Sequence, residues 1–553
     1  MMRTAPWEAE MAKGFAGASP EKAAFILDAI LHGVSVDFQG DRTKPVHRVG
    51  PVPDDPEAVA KMSAVIAADC LAKKKAGPFR EPPFPNFWVS PIGPVRRSGK
   101  IRVVHNLSHP YGSDSSVNGG IPDISYKLQS FDQAVRAIVQ LKRQAGSGTV
   151  WLIKLDVEAA FKQVPVRPED WPLLGFKWLN EYYYERVLPF GLKPSCRLWE
   201  AFAEALHYFF EKHLGVDFVI HYVDDFLFVV GGQQARAASF LERALRLCAE
   251  LGVPMSPLKT EGPCTSLIFL GILICTVKME ARLSEQRLAD LRRLTAEWCE
   301  RKSATIAEVE SLYGILQFAC KVMRPARHFV ARIGRHLYAH LAAENQNHRS
   351  SHEWVLSDEI KLDLKWWRDQ AARWNGVSLL YEDEWEADPG KLTLYTDACQ
   401  TGYGAVWGNQ WIAGRWTPEE IEAARRSSAL SMPYMETRCL LYAAATWAPE
   451  WRGKRVLFMT DCRVSVDIIG DGKHNSKQED LQALVRLLSE LACQHLFDYK
   501  VEHVAGELNV AADALSRGNF ALFRSVCPSS LPNQRKPRRD LVPMPLRTPE
   551  RSR

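Results

Sequence analysis

The sequence predicts an α+β protein of several domains, and three observations support this prediction. The chain has 553 residues, and a chain of this length typically forms about three to four domains. Two segments, near 88–276 and 391–518, combine apolar strand-like runs with helical patterns. A helical stretch at 283–338 and an acidic linker at 382–390 lie between them. We therefore expect two mixed units joined by a helical middle.

Composition narrows the class of protein. Hydrophobic residues make up 46% of the chain and charged residues 24%, which excludes a wholly disordered chain. We find no apolar run of about 18 residues and no signal-type apolar core, so we expect no membrane partner and a cytoplasmic or nuclear location. The 12 cysteines form no C-x-x-C pair, which disfavours a structural zinc site. A net charge of +5 permits a nucleic-acid partner without demanding one.

Shifts in composition divide the chain into six segments. A helix signal begins at Pro56, directly after Asp54 and Asp55. The carboxyl-terminal tail is rich in proline and arginine, which is typical of disordered basic segments. The predicted boundaries are 1–50 for an N-terminal extension, 51–282 for the first mixed unit, 283–345 for the helical segment, 346–390 for a connection or linker, 391–519 for the second mixed unit and 520–553 for the disordered tail.

Three acidic residues of the first mixed unit stand at strand ends. The apolar run 150–155 ends on Asp156, and only Asp224 and Asp225 separate the apolar runs 218–223 and 226–230. Such a hairpin turn presents two adjacent carboxylates, which repel each other unless a cation lies between them. Oxygen ligands favour Mg²⁺ or Mn²⁺, and two such ions about 3.5–4 Å apart stabilise an in-line phosphoryl displacement. Taken alone, an Asp-Asp turn at the surface is an equally good interpretation.

The order of motifs decides between these interpretations. The sequence contains DVEAAF at 156–161, LPFGLKPS at 188–195, YVDD at 222–225 and FLG at 269–271. This ordered set resembles the core motifs of reverse transcriptases, and the resemblance extends from about 88 to 274. It implies a right-hand polymerase with fingers and palm in the first mixed unit. The helical segment 283–345 resembles the thumb by its position, and its arginines either follow a duplex backbone or form a solvated face.

The resemblance implies a role for each matching residue of the polymerase site. Asp156, Asp224 and Asp225 would hold two metal ions, with the carbonyl of Val157 as a further ligand. Phe161 stands at the aromatic steric gate, where a ring packs under a deoxyribose and excludes a 2′-hydroxyl. The remaining residues would serve the nucleotide: Gly191 would allow close backbone approach, and Lys259 would protonate the leaving pyrophosphate unless it is an exposed loop lysine.

A basic hairpin precedes these motifs. The run RRSGKIR at 96–102 places cations on both arms of a Ser-Gly turn, which suits a triphosphate. It resembles the fingers hairpin of the same family. Arg102 is the strongest nucleotide-binding prediction, and Arg97, Lys100 and Arg96 can share its role.

The second mixed unit repeats the pattern of strand-terminal acids. The strands 392–396 and 456–460 end on Asp397 and Asp461, while Glu436 and Asp513 lie on predicted helices. Four carboxylates that converge at one end of a sheet make a second two-metal site. Each acid alone is more often a helix cap or a surface charge.

Taken in sequence, these acids resemble the Asp–Glu–Asp–Asp set of the ribonuclease H fold. The resemblance implies that Asp397, Glu436, Asp461 and Asp513 are metal ligands and that His503 assists the attacking water or product release. The implied fold class is thus a right-hand polymerase followed by a ribonuclease H-like α/β domain. That layout is similar to retroelement polyproteins, and WVSPIG at 88–93 with HNLSHP at 105–110 most resembles tyrosine-recombinase (DIRS/Ngaro-type) retrotransposons.

The resemblance implies an enzyme that copies RNA into DNA and then degrades the RNA strand of the hybrid. Its partners would be an RNA template, a DNA primer, the RNA-DNA hybrid and dNTPs, and its cofactor would be Mg²⁺ or Mn²⁺, two ions per site. The alternative is a catalytically inactive nucleic-acid-binding relic. The chain keeps all seven acids of both sets, which favours the enzyme.

Overall fold

The chain folds into two compact units. The first is Met1–Phe269 with Cys275–Lys278, and the second is Leu270–Ile274 with Met279–Arg553. The computed structural model describes residues 2–97, 100–111, 115–123, 125–144, 148–343, 353–373, 378–379, 392–426, 431–470 and 479–542.

The first unit mixes helices and strands throughout. Its helices are α1 (Thr4–Glu10), α2 (Ala16–Ala18), α3 (Pro20–His32), α4 (Pro56–Leu71), α5 (Phe131–Gln144), α6 (Ser195–Tyr208) and α7 (Gln234–Leu251). Its strands are β1 (Lys75–Phe79), β2 (Ile92–Arg97), β3 (Lys100–His105), β4 (Val150–Asp156), β5 (Gly175–Trp178), β6 (Glu181–Glu185), β7 (Phe218–Tyr222), β8 (Asp225–Gly231), β9 (Glu261–Cys264) and β10 (Ser266–Phe269).

A four-stranded antiparallel sheet organises the first unit. Its strand order is β7-β8-β4-β9. The interior of β8 is wholly apolar and buried, because α5 and α7 pack against this sheet. The paired strands β4 and β8 run from Val150 opposite Gly231 to Asp156 opposite Asp225. This register brings the predicted strand-terminal acids to one end of the sheet.

Two smaller sheets accompany it. Strands β1, β6 and β5 form one sheet, and β2 with β3 forms the basic hairpin. Helix α4 begins with Pro56, and the side chain of Asp55 accepts a hydrogen bond from the backbone N–H of Glu57, as the sequence signal predicts.

The N-terminal extension packs into the core of the first unit. Trp7, Met11 and Phe15 are buried in the same apolar cluster as the central sheet. The indole Nε1 of Trp7 donates a hydrogen bond to the carbonyl of Leu251 at 3.1 Å, at the end of α7. The large apolar side chains of this segment therefore serve the core, which the sequence pattern did not indicate.

The second unit contains ten helices among its described residues. They are α8 (Glu285–Glu300), α9 (Ile306–Ala319), α10 (Ala331–Ala343), α11 (Asp358–Arg373), α12 (Pro418–Arg426), α13 (Ser431–Trp447), α14 (Arg463–Ile469), α15 (Glu479–His495), α16 (Val510–Ser516) and α17 (Phe520–Val526). The strands are β11 (Ile272–Cys275), β12 (Glu280–Leu283), β13 (Ser303–Thr305), β14 (Glu353–Val355), β15 (Ser378–Leu379), β16 (Thr393–Ala398), β17 (Gly402–Trp407), β18 (Gln410–Arg415), β19 (Arg455–Thr460) and β20 (Asp498–His503). No helix in the described part of the chain has the length and apolar character needed to cross a membrane.

The helical segment buries its apolar stripe as predicted but uses its arginines differently. Phe329, Ile333 and Leu337 are all buried. The guanidinium of Arg332 lies 3.5 Å from the carboxylate of Asp363 on α11, and its side chain is only 14% exposed. Neither predicted role, contact with a duplex backbone or exposure on a solvated face, is correct for Arg332. Its guanidinium instead compensates the charge of the buried Asp363.

A five-stranded mixed sheet forms the centre of the carboxyl-terminal half. Its order is β18-β17-β16-β19-β20, with β16, β19 and β20 parallel and the hairpin strands antiparallel. All six residues of β17 are buried, and both α13 and α16 contact this strand. The parallel pairing of β16 and β19 places the ends of both strands at the same edge.

The predicted disordered tail is ordered over 520–542, so that prediction is wrong for these residues. Phe523 on α17 is buried against Trp411, and Val542 is buried in the core of the sheet domain. Backbone N–H groups of Leu531 and Arg535 donate to carbonyls of the β18 hairpin, each at 2.9 Å. Composition indicated disorder, but a few apolar anchors and an open sheet edge hold the segment. Residues 543–553 lie outside the described residues.

Candidate active sites

The first acidic cluster forms at the end of the β4–β8 pair. Oxygen atoms of Asp156, Asp224 and Asp225 all lie within 4.8 Å of one another. The turn is tight, since Val223 adopts φ +59° and the carbonyl of Asp224 accepts a hydrogen bond from the N–H of Val157 at 2.9 Å. The predicted hairpin forms, but its two turn residues are Val223 and Asp224 rather than Asp224 and Asp225, because Asp225 begins β8 opposite Tyr222. The hairpin nevertheless presents both acids beside Asp156.

Burial and mutual repulsion disfavour full ionisation of this cluster. Burial, reinforced by the neighbouring charges of Asp224 and Asp156, raises the pKa of Asp225 to about 7. Burial and the charge of Asp156 also raise the pKa of Asp224. A group of carboxylates held in this state gains stability from a bound cation, which makes the cluster a candidate metal site.

Two cations face the cluster. The Nζ of Lys259 donates a hydrogen bond to Asp156 Oδ2 at 2.7 Å. Burial opposes the positive charge of Lys259, but this bond and the nearby acids outweigh it and raise its pKa. Arg102 is exposed on β3, and its charge acts to lower the pKa of Asp224. Both predicted residues are therefore electrostatic neighbours of the acids.

The predicted steric gate belongs to an aromatic pair. Phe161 lies in a short 3₁₀ turn, Ala160–Gln163, and its ring centroid is 5.5 Å from that of Phe190. Gly191 has φ +103°, and a Cβ at this position would lie 2.0 Å from the carbonyl oxygen of His105. The requirement for glycine therefore comes from close contact with β3 within the protein, which the sequence did not reveal.

The remaining hairpin residues divide into two groups. Arg97 and Lys100 are register partners at the tip of the β2–β3 hairpin, and residues 98–99 between them lie outside the described residues. Arg96 forms ion pairs with Asp55 and Glu57. Arg96 thus has acidic partners within the first unit.

The second acidic cluster lies at the edge where β16 and β19 end. Oxygen atoms of Asp397, Glu436 and Asp461 lie within 4.8 Å of one another. Glu436 is held on α13, and its Oε1 accepts a hydrogen bond from the N–H of Ala398 at 3.2 Å. Burial, together with the charges of Asp397 and Asp461, raises the pKa of Glu436 well above its usual range. Three acids from three elements therefore converge, as predicted.

The fourth predicted acid, Asp513, lies outside this close group in the described structure. Its Oδ1 accepts a hydrogen bond at 2.7 Å from Nε of Arg517, the residue directly after helix α16. Burial is the main reason that the pKa of Asp397 rises to about 6, and Asp513 contributes to that rise through its charge. Asp513 is thus an electrostatic neighbour of the cluster, with Arg517 as a partner that sequence reasoning missed.

Two further residues border this site. Ser516 donates a hydrogen bond to Asp397 Oδ2, so α16 contacts the cluster directly; no sequence signal identified this serine. The predicted His503 is exposed and pairs in register with Thr460, the residue before Asp461. It therefore stands on the strand adjacent to one of the acids.

Comparison with known proteins agrees with this arrangement in the first unit. Residues 108–274 match the family model described as reverse transcriptase (RNA-dependent DNA polymerase). The matched stretch contains Asp156, Asp224, Asp225 and Lys259. This part of the chain is homologous to the reverse transcriptase domain of retroelement and viral polyproteins.

Similar proteins include viral polyproteins. Polyprotein P3 of Commelina yellow mottle virus is 24% identical over 443 residues, which cover 78% of this chain and 20% of that protein. The enzymatic polyprotein of Cestrum yellow leaf curling virus is 24% identical over 448 residues, covering 78% of this chain and 62% of that protein. The chain therefore spans only part of the length of these relatives.

Solved structures with a similar arrangement include foamy viral protease-reverse transcriptases. One, in complex with double-stranded DNA, has a TM-score of 0.46 and 15% identity, and the alignment covers 85% of this chain and 74% of that one. Another, in complex with an RNA/DNA hybrid, has a TM-score of 0.45 and 14% identity, covering 85% and 57%.

Proposed function

We propose that this chain is an RNA-directed DNA polymerase with ribonuclease H activity from a retroelement. The observation that carries the proposal is the pair of carboxylate clusters, each built at a strand end of its own sheet. The first cluster lies inside the segment homologous to reverse transcriptases. The order of the two clusters, and the motifs at 88–93 and 105–110, support a tyrosine-recombinase type of retrotransposon that works in the cytoplasm or nucleus.

The donor set of both clusters fits a hard divalent cation. Each offers three carboxylates within 4.8 Å. Burial first, and the charges of neighbouring acids second, raise the pKa values of Asp225 and Asp397, and a bound cation would offset both effects. Asp156, Asp224, Asp225 and the carbonyl of Val157 would hold Mg²⁺ or Mn²⁺ in the first site. The second site would use Asp397, Glu436, Asp461 and Asp513. When bound, two such ions per site would supply positive charge for the attacking and leaving oxygens of phosphoryl transfer.

In DNA synthesis, the residues around the first cluster bind and orient a dNTP. Arg102, with Arg97 and Lys100 on the same hairpin, provides positive charge for the triphosphate. The ring of Phe161 lies under the sugar. The primer 3′-hydroxyl attacks the α-phosphorus and gives its proton to solvent. The bond from the α-phosphorus to the bridging oxygen of the β-phosphate breaks, and Lys259 donates a proton to the pyrophosphate that leaves.

In RNA hydrolysis, water attacks the phosphorus of a phosphodiester in the RNA strand of the hybrid and loses a proton to solvent. One bond from phosphorus to a ribose oxygen breaks, and that oxygen leaves as a hydroxyl after it gains a proton from solvent. His503 lies on the strand next to Asp461, where it can assist the water or the release of product. Ser516 holds the carboxylate of Asp397 through its hydroxyl. The substrate of the second site is the RNA-DNA hybrid, which is the product of DNA synthesis on an RNA template at the first site.

The test is a primer-extension assay with the full chain. A labelled DNA primer on an RNA template is incubated with dNTPs and Mg²⁺, and a second reaction contains a hybrid with labelled RNA. We expect primer extension in the first reaction and RNA fragments in the second. Tight hybrid binding without either product would instead identify a catalytically inactive, nucleic-acid-binding relic.

A further inference from the structure

The first unit contains a cluster of four largely buried charged side chains, one of which directly follows Phe161 of the aromatic pair. It consists of Asp69 on α4, Lys75 on β1, Glu185 on β6 and Lys162 in the 3₁₀ turn. The Nζ of Lys75 lies 2.8 Å from oxygens of both Asp69 and Glu185, and the Nζ of Lys162 lies 2.6 Å from Asp69 Oδ2. The side chains of Lys75 and Glu185 are 4% and 5% exposed. Two acids and two lysines leave the cluster neutral.

The first connection to the aromatic pair runs through the chain itself. Lys162 directly follows Phe161, in a turn that Ala159 enters with φ +48°, a conformation unfavourable for alanine. The N–H of Val164 donates to the carbonyl of Phe161 at 3.1 Å. The bond from Lys162 to Asp69 therefore fastens this strained turn to helix α4.

The second connection runs through packed rings. The Nζ of Lys75 lies 5.9 Å from the centroid of the Phe176 ring, and Phe176 makes an edge contact with His105 at 5.5 Å. The N–H of His105 donates to the carbonyl of Phe190 at 3.0 Å. Both residues of the aromatic pair are thus connected through their backbone to the same charged cluster, by different routes.

We propose that the ion pair between Lys162 and Asp69 fixes Phe161 against Phe190 and thereby sets how strongly the site discriminates dNTPs from rNTPs. This inference rests on the proposed polymerase function. Lys162 is a positioning residue, since it acts through the ring of its neighbour. A steric gate excludes a 2′-hydroxyl by contact, and a displacement of about 1 Å is enough to weaken such a constraint.

The experiment measures single-nucleotide insertion of a dNTP and of the matching rNTP by the full chain. The readout is the discrimination ratio, which is kcat/KM for the dNTP divided by kcat/KM for the rNTP. For Lys162→Met we expect the ratio to fall about tenfold, mainly through a higher KM for the dNTP and easier rNTP insertion. Lys162→Arg keeps the charge and is expected to retain the ratio within about twofold. The matched control is Lys61→Met, which removes an exposed lysine from α4, the helix that carries Asp69.

A second variant guards against a folding defect. Asp69→Asn combined with Lys162→Met removes one charge of each sign and leaves the pair between Lys75 and Glu185 intact. We expect the double variant to keep hybrid cleavage and to show the same lowered ratio. A wild-type ratio in the double variant overturns the positioning role, whatever the single variant does. Failure of the wild-type chain to extend any primer would instead contradict the polymerase function itself.

Discussion

Asp156 and Asp225 are the last register pair of two antiparallel strands, opposite each other where β4 and β8 end. The pairing begins at Val150 and Gly231 and continues without a shift for seven residues. Strand pairing alone therefore brings Asp156 beside Asp225, and the turn at Val223 and Asp224 adds the third acid of the first cluster.

We expect Asp224→Asn to reduce DNA synthesis on a primed RNA template at least about 100-fold, because loss of one charged ligand removes transition-state stabilisation. RNA cleavage in a preformed hybrid should remain near the wild-type rate. Both rates are measured on the same preparation. Asp132→Asn removes an exposed acid of α5 in the same unit and serves as the matched control.

Asp461→Asn is the reciprocal variant. We expect hybrid cleavage to fall at least about 100-fold while primer extension is retained, since the charge is lost only from the second cluster. Asp467→Asn, at an exposed position on the following helix α14, is the control. Equal loss of both activities in the Asp224 and Asp461 variants would contradict two separate sites.

The raised pKa values predict how stability changes with pH when no metal is bound. The pKa of Asp225 is about 7 and that of Asp397 about 6 in the folded chain, against an ordinary value of 3.8. An acid whose pKa is raised by folding stabilises the protein below its ordinary pKa and loses that contribution as pH rises through the folded value. In EDTA we therefore expect the melting temperature to fall as pH rises from about 4 to about 7.

Mg²⁺ should reverse this trend, because it compensates the ionised acids. Thermal melts at pH 5 and pH 8, with EDTA or Mg²⁺, check the prediction; the rise with Mg²⁺ should be several degrees larger at pH 8. Asp225→Asn should flatten the dependence on pH in EDTA. An equal effect of Mg²⁺ at both pH values would argue against metal binding by these acids.

Phe161→Ala should raise rNTP insertion relative to dNTP insertion by about 10- to 100-fold, since the contact that excludes a 2′-hydroxyl is lost. Phe161→Tyr keeps the ring and is expected to keep the discrimination. Single-nucleotide insertion with each nucleotide measures both variants. Unchanged discrimination in Phe161→Ala would remove this residue from the gate.

Residues 527–542, which pack along β18, should contribute to the thermal stability of the second unit only. A chain that ends at Val526 loses the hydrogen bond from Trp411 to the carbonyl of Leu531 and the buried Val542. We expect its hybrid cleavage to be lost several degrees below the wild-type temperature while primer extension keeps its thermal profile. A chain that ends at Val542 is the control. Identical melting of both truncated chains would contradict a role for residues 527–542.

Sequence reasoning succeeded where the signal was local. An apolar run that ends on an acid predicted the ends of β4 and β19, and that of β16 to within one residue. Two residues between apolar runs predicted the hairpin, although its turn lies one residue earlier, at Val223 and Asp224. Side chains alternate between the two faces of a strand, and burying an unpaired charge at its end costs free energy. Both effects depend on only a few neighbouring residues. Such features are visible before the fold is known.

Features that depend on distant partners could not be predicted in this way. Lys75 and Glu185 are 110 residues apart, and the acid that compensates Arg332 lies on another helix. The tail has a disordered composition, yet Phe523 and Val542 find apolar sites that other segments create. In each case the sequence shows a charged or apolar residue but not the partner that determines its role.

The bond between Trp7 and Leu251 has a consequence for the order of folding. These residues are 244 positions apart, so a growing polypeptide exposes the indole long before its acceptor leaves the ribosome. The core around Trp7 closes only after α7 has been synthesised. Until then the early apolar side chains stay accessible to chaperones, and the core of the first unit cannot close around Trp7 before Leu251 has been added to the chain.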